Sequence, residues 1–241
     1  LRDPKLSITP DNRLMLTIGG SIYEGKKLLE RQPRVTFSKN GSTWSTPQRV
    51  LEKSHWLWRV TWHKGVAYGL DYHSGKSKPS ELALLQSTNG IEYKVLKDFE
   101  ITSYPNESTA RFLTNDDCVI LARREGTPTD RTDNHAWIGI AHPPYSNWSW
   151  NDADMSVGGP NFITLPNGEL IASGRLNPGK QAKTFVGHMT KTSITPDLIL
   201  PSGGDCSYPG MVWHGDKLWV TYYSSHEGKT SIYLAKIAVS K

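Results

Sequence analysis

The residues of this sequence that could do chemistry lie at the starts and ends of short apolar runs. Polar side chains open five of these runs, in segments that contain Arg2 and Asp3, Arg59, Glu107, Asn161 and Tyr208. Arg123 and Arg175 close two other runs at matching positions. Arginine binds a carboxylate through two parallel hydrogen bonds and stays charged. Three arginines (Arg2, Arg123 and Arg175) with one tyrosine and one glutamate therefore indicate a pocket for a carboxylate.

An internal repeat predicts the fold that brings these residues together. Polar turns recur at intervals of 52, 52, 52 and 48 residues, beginning at Asp11, His63, Asn115, Asn167 and Gly215. An apolar strand starts three residues into each unit, and helical periodicity is nearly absent. Repeats of this length, built of short strands, are typical of a β-propeller, whose blades bury their sheets against one another. The sequence therefore predicts an all-β, five-bladed β-propeller with blades of about 50 residues; a β-sandwich with chance spacing is the alternative.

Each repeat predicts an inner strand before the turn, a second strand after it and a third strand. The third strands are expected at Arg34–Phe37, Glu81–Gln86, Ala136–Ala141, Thr184–Met189 and Ser231–Ile237. Fourth strands are expected at Gln48–Leu51, Tyr93–Phe99 and Asp197–Leu200. We expect one domain over residues 1–241. Because the first unit opens directly on an inner strand and the last ends after its third, we also expect that an N-terminal segment is missing.

The composition excludes several classes of protein. The sequence is 37% hydrophobic and 21% charged, a balance that excludes a disordered chain. No apolar run approaches the ~18 residues of a membrane span. The net charge of +5 favours anionic partners, but no Lys/Arg run marks a nucleic-acid arm. Two cysteines without a CxxC pair form neither a disulfide framework nor a metal site. We expect no metal, cofactor, nucleic acid or membrane partner, and the oligomeric state stays open.

Two predicted hairpin turns carry a first resemblance. Ser38-Lys39-Asn40-Gly41-Ser42-Thr43-Trp44 and Ser87-Thr88-Asn89-Gly90-Ile91-Glu92-Tyr93 follow third strands. Asn-Gly tolerates positive φ, and the Ser and Asn side chains can bond the local backbone. Both turns resemble the Asp-box of BNR-type (bacterial neuraminidase) repeats, with Asn in place of Asp. The motif is structural, so it supports the fold rather than a chemistry.

A second resemblance concerns function. Asn106-Glu107-Ser108-Thr109, followed sixteen residues after the Glu by Arg123, looks like the Glu-to-Arg stretch of sialidases. Ser207-Tyr208-Pro209-Gly210 is similar to the sialidase segment that holds the nucleophilic tyrosine. Arg2-Asp3-Pro4 resembles the opening that supplies the first arginine, and Asn167-Gly168-Glu169-Leu170 resembles the start of the strand that supplies the third. The motifs are short, and their order along the chain gives the resemblance its specificity.

The resemblance implies a retaining exo-glycoside hydrolase that acts on a terminal acidic sugar. Tyr208 would be the nucleophile and Glu107 its base, while Arg2, Arg123 and Arg175 would bind the substrate carboxylate. A phenol is neutral until it attacks and so avoids repulsion by that carboxylate. Tyrosine nucleophiles of this kind are an exception among glycosidases. The resemblance also favours a secreted or periplasmic location, although the sequence contains no signal peptide.

The sequence departs from the sialidase pattern in three ways, and the third leaves the general acid open. The predicted ring has five blades where sialidases have six, and the separation between Arg2 and Glu107 is short by more than one blade. The general acid of the family is an Asp on a loop. The candidate acids in this sequence are Glu24 first, Asp3 second, and Asp71, which occupies the repeat position that matches Arg123. Further candidate substrate contacts are Arg59, Asn161 and His135.

Two other functions stay open. Arg2-Asp3-Pro4 also looks like the Arg-Asp-Pro segment of five-bladed fructosidase-type enzymes, so the chain could be a carboxylate-dependent glycosidase of fructosidase or arabinanase type. Asp3 would then stabilise the transition state and Glu107 would be the acid. A non-catalytic carbohydrate-binding propeller is the third reading, since the fold alone does not decide among them.

Overall fold

The computed structural model describes residues 1–73, 81–177 and 181–239, which form β-strands joined by turns and no helix. Accordingly, these residues include no helix long and apolar enough to cross a membrane. The strands make five antiparallel sheets, and the fold is an all-β, five-bladed β-propeller, as the repeat predicts.

The blades follow one another along the chain. Blade 1 comprises β1 (Arg2–Ile8), β2 (Leu14–Glu24), β3 (Lys27–Ser38) and β4 (Gln48–Arg49). Blade 2 comprises β5 (His55–His63), β6 (Val66–His73), β7 (Leu82–Ser87) and β8 (Lys94–Phe99). Blade 3 comprises β9 (Pro105–Phe112), β10 (Cys118–Arg124), β11 (Trp137–Ala141) and β12 (Ser149–Asp152). Blade 4 comprises β13 (Gly158–Thr164), β14 (Leu170–Leu176), β15 (Lys183–Met189) and β16 (Ile194–Ile199). Blade 5 comprises β17 (Ser207–His214), β18 (Lys217–Ser224) and β19 (Ser231–Ile237).

Contacts within the chain divide it into two compact units, residues 1–106 and 107–241. The first unit contains blades 1 and 2, and the boundary falls inside β9. The second contains the rest of blade 3 with blades 4 and 5. The single domain expected from the sequence stays a prediction.

Strand β14 shows how a blade in the second unit is held. Its side chains alternate between two faces, as the period of a strand requires. Leu170 and Ala172 pack in a cluster with Val119 of blade 3, and Ile171 packs in another with Leu218 of blade 5. Both faces of this sheet are therefore apolar and covered by neighbouring blades, which is why the strand reads as a continuous apolar run.

The predicted strands differ most from the observed ones in two places, and the bounds of several others differ by one to three residues. Strands β2 and β3 extend to a long hairpin whose tip pairs Glu24 with Lys27, well beyond the predicted third strand. Blade 3 has a fourth strand, β12, that the sequence did not predict. Polar residues dominate both segments, so hydrophobic periodicity gave no signal there.

The two Asn-Gly turns are closed by side-chain acceptors. In the second turn Asn89 Oδ1 accepts hydrogen bonds from the backbone N–H of Ile91 and of Glu92, both at 2.9 Å. Ser87 Oγ accepts from the N–H of Gly90 at 2.9 Å, and Gly90 has a φ of 73°. The side chains thereby bond N–H groups that the tight turn leaves without backbone partners.

We predict that Asn89→Ala lowers the free energy of unfolding by about 1–2 kcal/mol, because two backbone donors lose their acceptor. Asn89→Asp keeps the acceptor oxygen and serves as the matched control, with a loss of less than half of that. Urea denaturation followed by tryptophan fluorescence measures both changes. Equal losses in the two variants would contradict the role of the side-chain oxygen.

Candidate active site

A shared backbone feature begins four of the inner strands. The residue that precedes a proline there has a left-handed φ, namely Asp3 (54°), Tyr104 (54°), Gly159 (56°) and Tyr208 (50°). In β1, β13 and β17 the strand register shifts at this point. Such a bulge re-aims the side chain relative to the regular strand, and only glycine accepts this φ without strain. A proline follows each of these four residues.

Tyr208 and Glu107, which are 101 residues apart, meet in the second unit. The Tyr208 phenol donates a hydrogen bond to Glu107 Oε1 at 2.7 Å. The other carboxylate oxygen, Oε2, accepts from Nη1 of Arg123. Glu107 is buried, with 9% of its surface exposed. A carboxyl group that accepts from a phenol and a guanidinium fits the ionised form, which has only acceptors.

The tyrosine keeps its proton at neutral pH. Burial raises the pKa of Tyr208, and the negative charge of Glu107 raises it further. The phenol is therefore neutral in the resting protein. Its proton already points at the group that could accept it.

Arg123 is held by two carboxylates. Its Nη2 lies 2.6 Å from Oε1 of Glu125, in addition to the contact with Glu107. Burial disfavours the charged form of Arg123, but the charges of Glu107 and Glu125 raise its pKa overall. The guanidinium is thus a fixed cation beside the phenol.

Gly159 makes room for the tyrosine ring. A Cβ built at Gly159 would lie 2.6 Å from Cδ1 of Tyr208. Ser207, which precedes the tyrosine, donates a hydrogen bond from Oγ to the carbonyl of Gly158 at 3.3 Å. The inner strands of blades 4 and 5 therefore pack with the ring of Tyr208 against the backbone of Gly159.

A second tyrosine–carboxylate pair lies beside the first. The rings of Tyr208 and Tyr223 are stacked, with centroids 5.8 Å apart and planes inclined by 12°. Tyr223 Oη donates to Asp205 Oδ1 at 2.6 Å, and Nη1 of Arg175 donates to the same oxygen at 3.1 Å. Cζ of Arg175 lies 5.8 Å from the centroid of the Tyr208 ring. The structure thus brings Arg175 to the predicted site.

Repeat equivalence explains how these residues converge. Arg175 pairs with Gly158, and Tyr223 pairs with Ser207, so each lies opposite the residue that precedes the bulged one. The sequence analysis assigned Arg123 and Arg175 to matching positions on this basis. It missed Asp205, which lies in the loop before β17 and follows Gly203 and Gly204. Neither periodicity nor a motif marked that loop.

Both arginines of the site already have carboxylate partners within the chain. Arg123 contacts Glu107 and Glu125, and Arg175 contacts Asp205. The five groups carry two positive and three negative charges. The predicted carboxylate pocket therefore contains its own counter-ions.

Asn161 and His135, also in the second unit, have other partners than the groups around Tyr208 and Glu107. Asn161 is buried, and its side chain accepts from Arg111 at 2.9 Å and donates to the carbonyl of Pro209 at 2.9 Å. It therefore supports the backbone next to Tyr208. His135 is half-buried, and its Nδ1 lies 3.0 Å from Oδ1 of Asp152. A substrate contact by either residue stays a prediction.

The remaining candidates lie in the first unit. Arg2 is exposed, and its Nε donates to Asp3 at 2.8 Å. Arg59 is half-buried on β5. Glu24 is exposed at the tip of the β2–β3 hairpin, where its register partner is Lys27.

Asp71 is buried and serves His55. Its Oδ2 lies 2.6 Å from Nδ1 of His55, and its Oδ1 accepts from the backbone N–H of Trp56 at 3.0 Å. The hydrogen bond that His55 donates to Asp71 raises the pKa of His55 against the opposing effect of burial. Both carboxylate oxygens accept hydrogen bonds, so Asp71 orients the ring of His55. Its role as a general acid stays a prediction.

Residues that could bind a metal ion do not cluster in the part of the chain that the structure describes. No group of three or more His, Cys, Asp or Glu side chains with suitable geometry occurs there. The polar site around Tyr208 is instead built from phenols, carboxylates and guanidinium groups.

The fold is shared with solved glycosidase structures. No protein-family model matches the sequence, and no curated protein matches it significantly. An endo-arabinase from Bacteroides thetaiotaomicron aligns with a TM-score of 0.67 at 15% identity, covering 100% of this chain and 95% of that one. An alpha-L-arabinofuranosidase variant from Fusarium graminearum, solved with an iminosugar inhibitor, aligns with a TM-score of 0.73 at 14% identity, covering 98% and 76%.

A third structure, the GH43_1 enzyme from Xanthomonas citri complexed with xylose, aligns with a TM-score of 0.64 at 10% identity, covering 99% of this chain and 87% of that one. The chain has the fold of these enzymes. At identities of 10–15% the likeness establishes the fold alone. The chemistry has to be argued from the site.

We predict that Gly159→Ala displaces the ring of Tyr208, because the new Cβ would overlap it and φ at this position is left-handed. The expected loss is about 1–3 kcal/mol in the free energy of unfolding. The expected structural change is loss of the bond to Glu107, seen as a shift of the Tyr208 13Cζ resonance. Gly168→Ala, at a glycine with left-handed φ and open space around it, controls for backbone strain.

We predict that His55 titrates above 6.5 in the folded protein and that Asp71→Asn lowers this midpoint. Because the folded pKa is raised, the pair stabilises the fold below the unfolded pKa. That contribution is lost as the pH rises, so the free energy of unfolding falls between the unfolded pKa of about 6.5 and the higher folded pKa. An NMR titration of the His55 Hε1 signal measures the midpoint. A midpoint unchanged by Asp71→Asn would contradict the coupling.

Proposed function

We propose that this protein is a retaining glycoside hydrolase in which Tyr208 is the nucleophile and Glu107 its base. The observation that carries the proposal is the 2.7 Å hydrogen bond from the phenol to Glu107 Oε1, beside the guanidinium of Arg123. A neutral phenol, an ionised acceptor and a fixed cation are the parts that nucleophilic activation needs. The solved glycosidase structures that share this fold support the reaction class.

The reaction runs in two steps. The phenolic oxygen of Tyr208 attacks the anomeric carbon while Glu107 takes the phenolic proton. The bond to the leaving oxygen breaks as an acid protonates that oxygen, which leaves a covalent glycosyl-tyrosine. Water then attacks the same carbon, with its proton going to the acid's conjugate base, and the proton held by Glu107 returns to the phenolate. Two displacements at one carbon retain its configuration.

The general acid is proposed among Asp3, Glu24 and Asp71, which all lie in the first unit. Asp3 has a left-handed φ and precedes a proline, as Tyr208 does in blade 5. Glu24 and Asp71 are less suited, because the first lies at an exposed hairpin tip and the second is engaged by His55.

The substrate is a carbohydrate, and the charge of the site favours a neutral sugar over the terminal acidic sugar of the sialidase reading. The two guanidinium groups face three carboxylates of the chain, so a further carboxylate would add to a negative surplus. Two of the similar structures, an endo-arabinase and an alpha-L-arabinofuranosidase, support this choice.

A carboxylate-dependent glycosidase of the arabinanase type is the second candidate. The observation in its favour is the set of solved structures that share this fold. In that mechanism Glu107 would be the acid, and Tyr208 would only orient it.

We predict that Tyr208→Phe lowers kcat on aryl arabinofuranosides or xylosides by at least about 10²–10⁴-fold, since the attacking oxygen is removed, and that Glu107→Gln does the same. A panel of chromogenic glycosides that includes a sialoside identifies the substrate. Tyr233→Phe is the matched control, because Tyr233 also donates to a glutamate, Glu227, at 2.7 Å in the same blade.

The variants separate the candidate functions. Full activity in Tyr208→Phe with none in Glu107→Gln would show the carboxylate-dependent mechanism instead. Sugar binding by the wild-type protein without turnover of any glycoside in the panel would show a carbohydrate-binding propeller.

A further inference from the structure

We propose that Arg175, Asp205 and Tyr223 form a sugar subsite that binds two neighbouring hydroxyl groups of a neutral sugar next to Tyr208. The inference rests on the proposed function, since it places part of a glycoside beside the reacting phenol. It assigns to Arg175 a role different from the carboxylate clamp that the sequence resemblance implies.

One of the two carboxylate oxygens of Asp205 accepts hydrogen bonds from the chain. Its Oδ1 accepts from both Tyr223 Oη and Arg175 Nη1. Within residues 1–73, 81–177 and 181–239, no group donates a hydrogen bond to its other oxygen, Oδ2. The side chain of Asp205 is 69% exposed, so Oδ2 is open to a ligand.

Arg175 supplies donors beside that acceptor. Only Nη1 of its guanidinium bonds a side chain in the described part of the chain, and Arg175 is 21% exposed. The remaining N–H groups lie on the same planar fork as the bonded one. A fixed acceptor next to fixed donors matches two neighbouring hydroxyls, of which one donates to Asp205 and the other accepts from Arg175.

The aromatic rings place this pair next to the reacting group. Tyr223 is stacked on Tyr208, and its Oη is fixed by Asp205. Burial and the bond to Asp205 raise the pKa of Tyr223, so its hydroxyl stays a donor that orients the carboxylate. The guanidinium carbon of Arg175 lies 5.8 Å from the Tyr208 ring, so one sugar residue could contact both.

A carboxylate ligand fits this arrangement poorly. It would have to compete with Asp205 for the guanidinium, and the two negative charges would repel each other. A hydroxyl pair has no such conflict, because it can donate to Asp205 and accept from Arg175 at once. Carboxylate–sugar hydrogen bonds of this kind are charge-assisted and therefore among the stronger ones.

Isothermal titration calorimetry on the full chain tests the subsite. The probes are methyl α-L-arabinofuranoside, methyl β-D-xylopyranoside, their single-deoxy analogues and methyl α-N-acetylneuraminide. We expect the wild-type protein to bind one of the neutral glycosides and Asp205→Ala to bind it at least about tenfold more weakly. Removal of one ring hydroxyl from that glycoside should weaken wild-type binding to a similar extent. It should have little further effect in Asp205→Ala.

The controls keep the test independent of catalysis and of folding. Asp216→Asn removes a carboxylate from the exposed β17–β18 turn of the same blade and should leave the affinity unchanged. Asp205→Asn keeps the shape of the side chain and removes its charge. It therefore tests the contribution of the carboxylate to sugar binding even if Asp205→Ala fails to fold. Binding is also measured in Tyr208→Phe, where retained affinity with lost turnover supports the subsite and the nucleophile separately.

Three results would overturn the subsite. One is unchanged affinity for the neutral sugar in both Asp205 variants. Another is tighter wild-type binding of the sialoside than of any neutral probe. The third is no measurable binding of any neutral probe. Full turnover in Tyr208→Phe would contradict Tyr208 as the nucleophile, but it would not change the calorimetric evidence on the subsite.

Discussion

The buried carboxylate of Glu107 is the constraint on which the site depends. A negative charge with 9% exposure is costly unless donors meet it. The phenol of Tyr208 meets one oxygen and the guanidinium of Arg123 the other. Arg123 comes from the next strand of the same blade, whereas Tyr208 comes from β17, so the bond from Tyr208 to Glu107 ties the inner strand of blade 5 to blade 3. The same requirement that satisfies the charge places the proposed nucleophile against its proposed proton acceptor.

The strained backbone at the start of β17 holds the side chain of Tyr208 in position. A left-handed residue before proline is unfavourable for tyrosine, and the structure keeps it because Tyr208 gains the bond to Glu107. Gly159, at the equivalent position of the neighbouring blade, leaves the space that the ring fills. Asn161 then bonds the carbonyl of Pro209, immediately after the tyrosine. Several weak constraints together hold one side chain in one direction.

The repeat predicted the five-bladed fold. Together with the resemblance it grouped Tyr208, Glu107, Arg123 and Arg175, which lie near one another in the structure, while their roles stay predictions. Spacing contributes to this grouping because equivalent positions in successive blades lie at the same end of their sheets. It could not predict Asp205, whose loop belongs to no strand. It also could not show that the arginines are already paired, because ion pairing depends on distances that no spacing encodes. The long β2–β3 hairpin escaped for another reason, since its polar residues carry no periodic signal.

The ion pairs of Arg123 and Arg175 with carboxylates of the chain indicate what these arginines do. If Arg123 and Arg175 served only to attract an anionic substrate, carboxylates on both would weaken the attraction. In the structure each arginine instead orients a carboxylate that also accepts from a tyrosine: Glu107 from Tyr208, and Asp205 from Tyr223. The two assemblies have the same composition and differ in exposure, because Glu107 is buried while Asp205 is open to solvent. Burial suits a group that takes a proton from a fixed partner, and exposure suits a group that bonds a ligand. One repeated pattern of tyrosine, carboxylate and arginine can therefore serve reaction in one blade pair and recognition in the next.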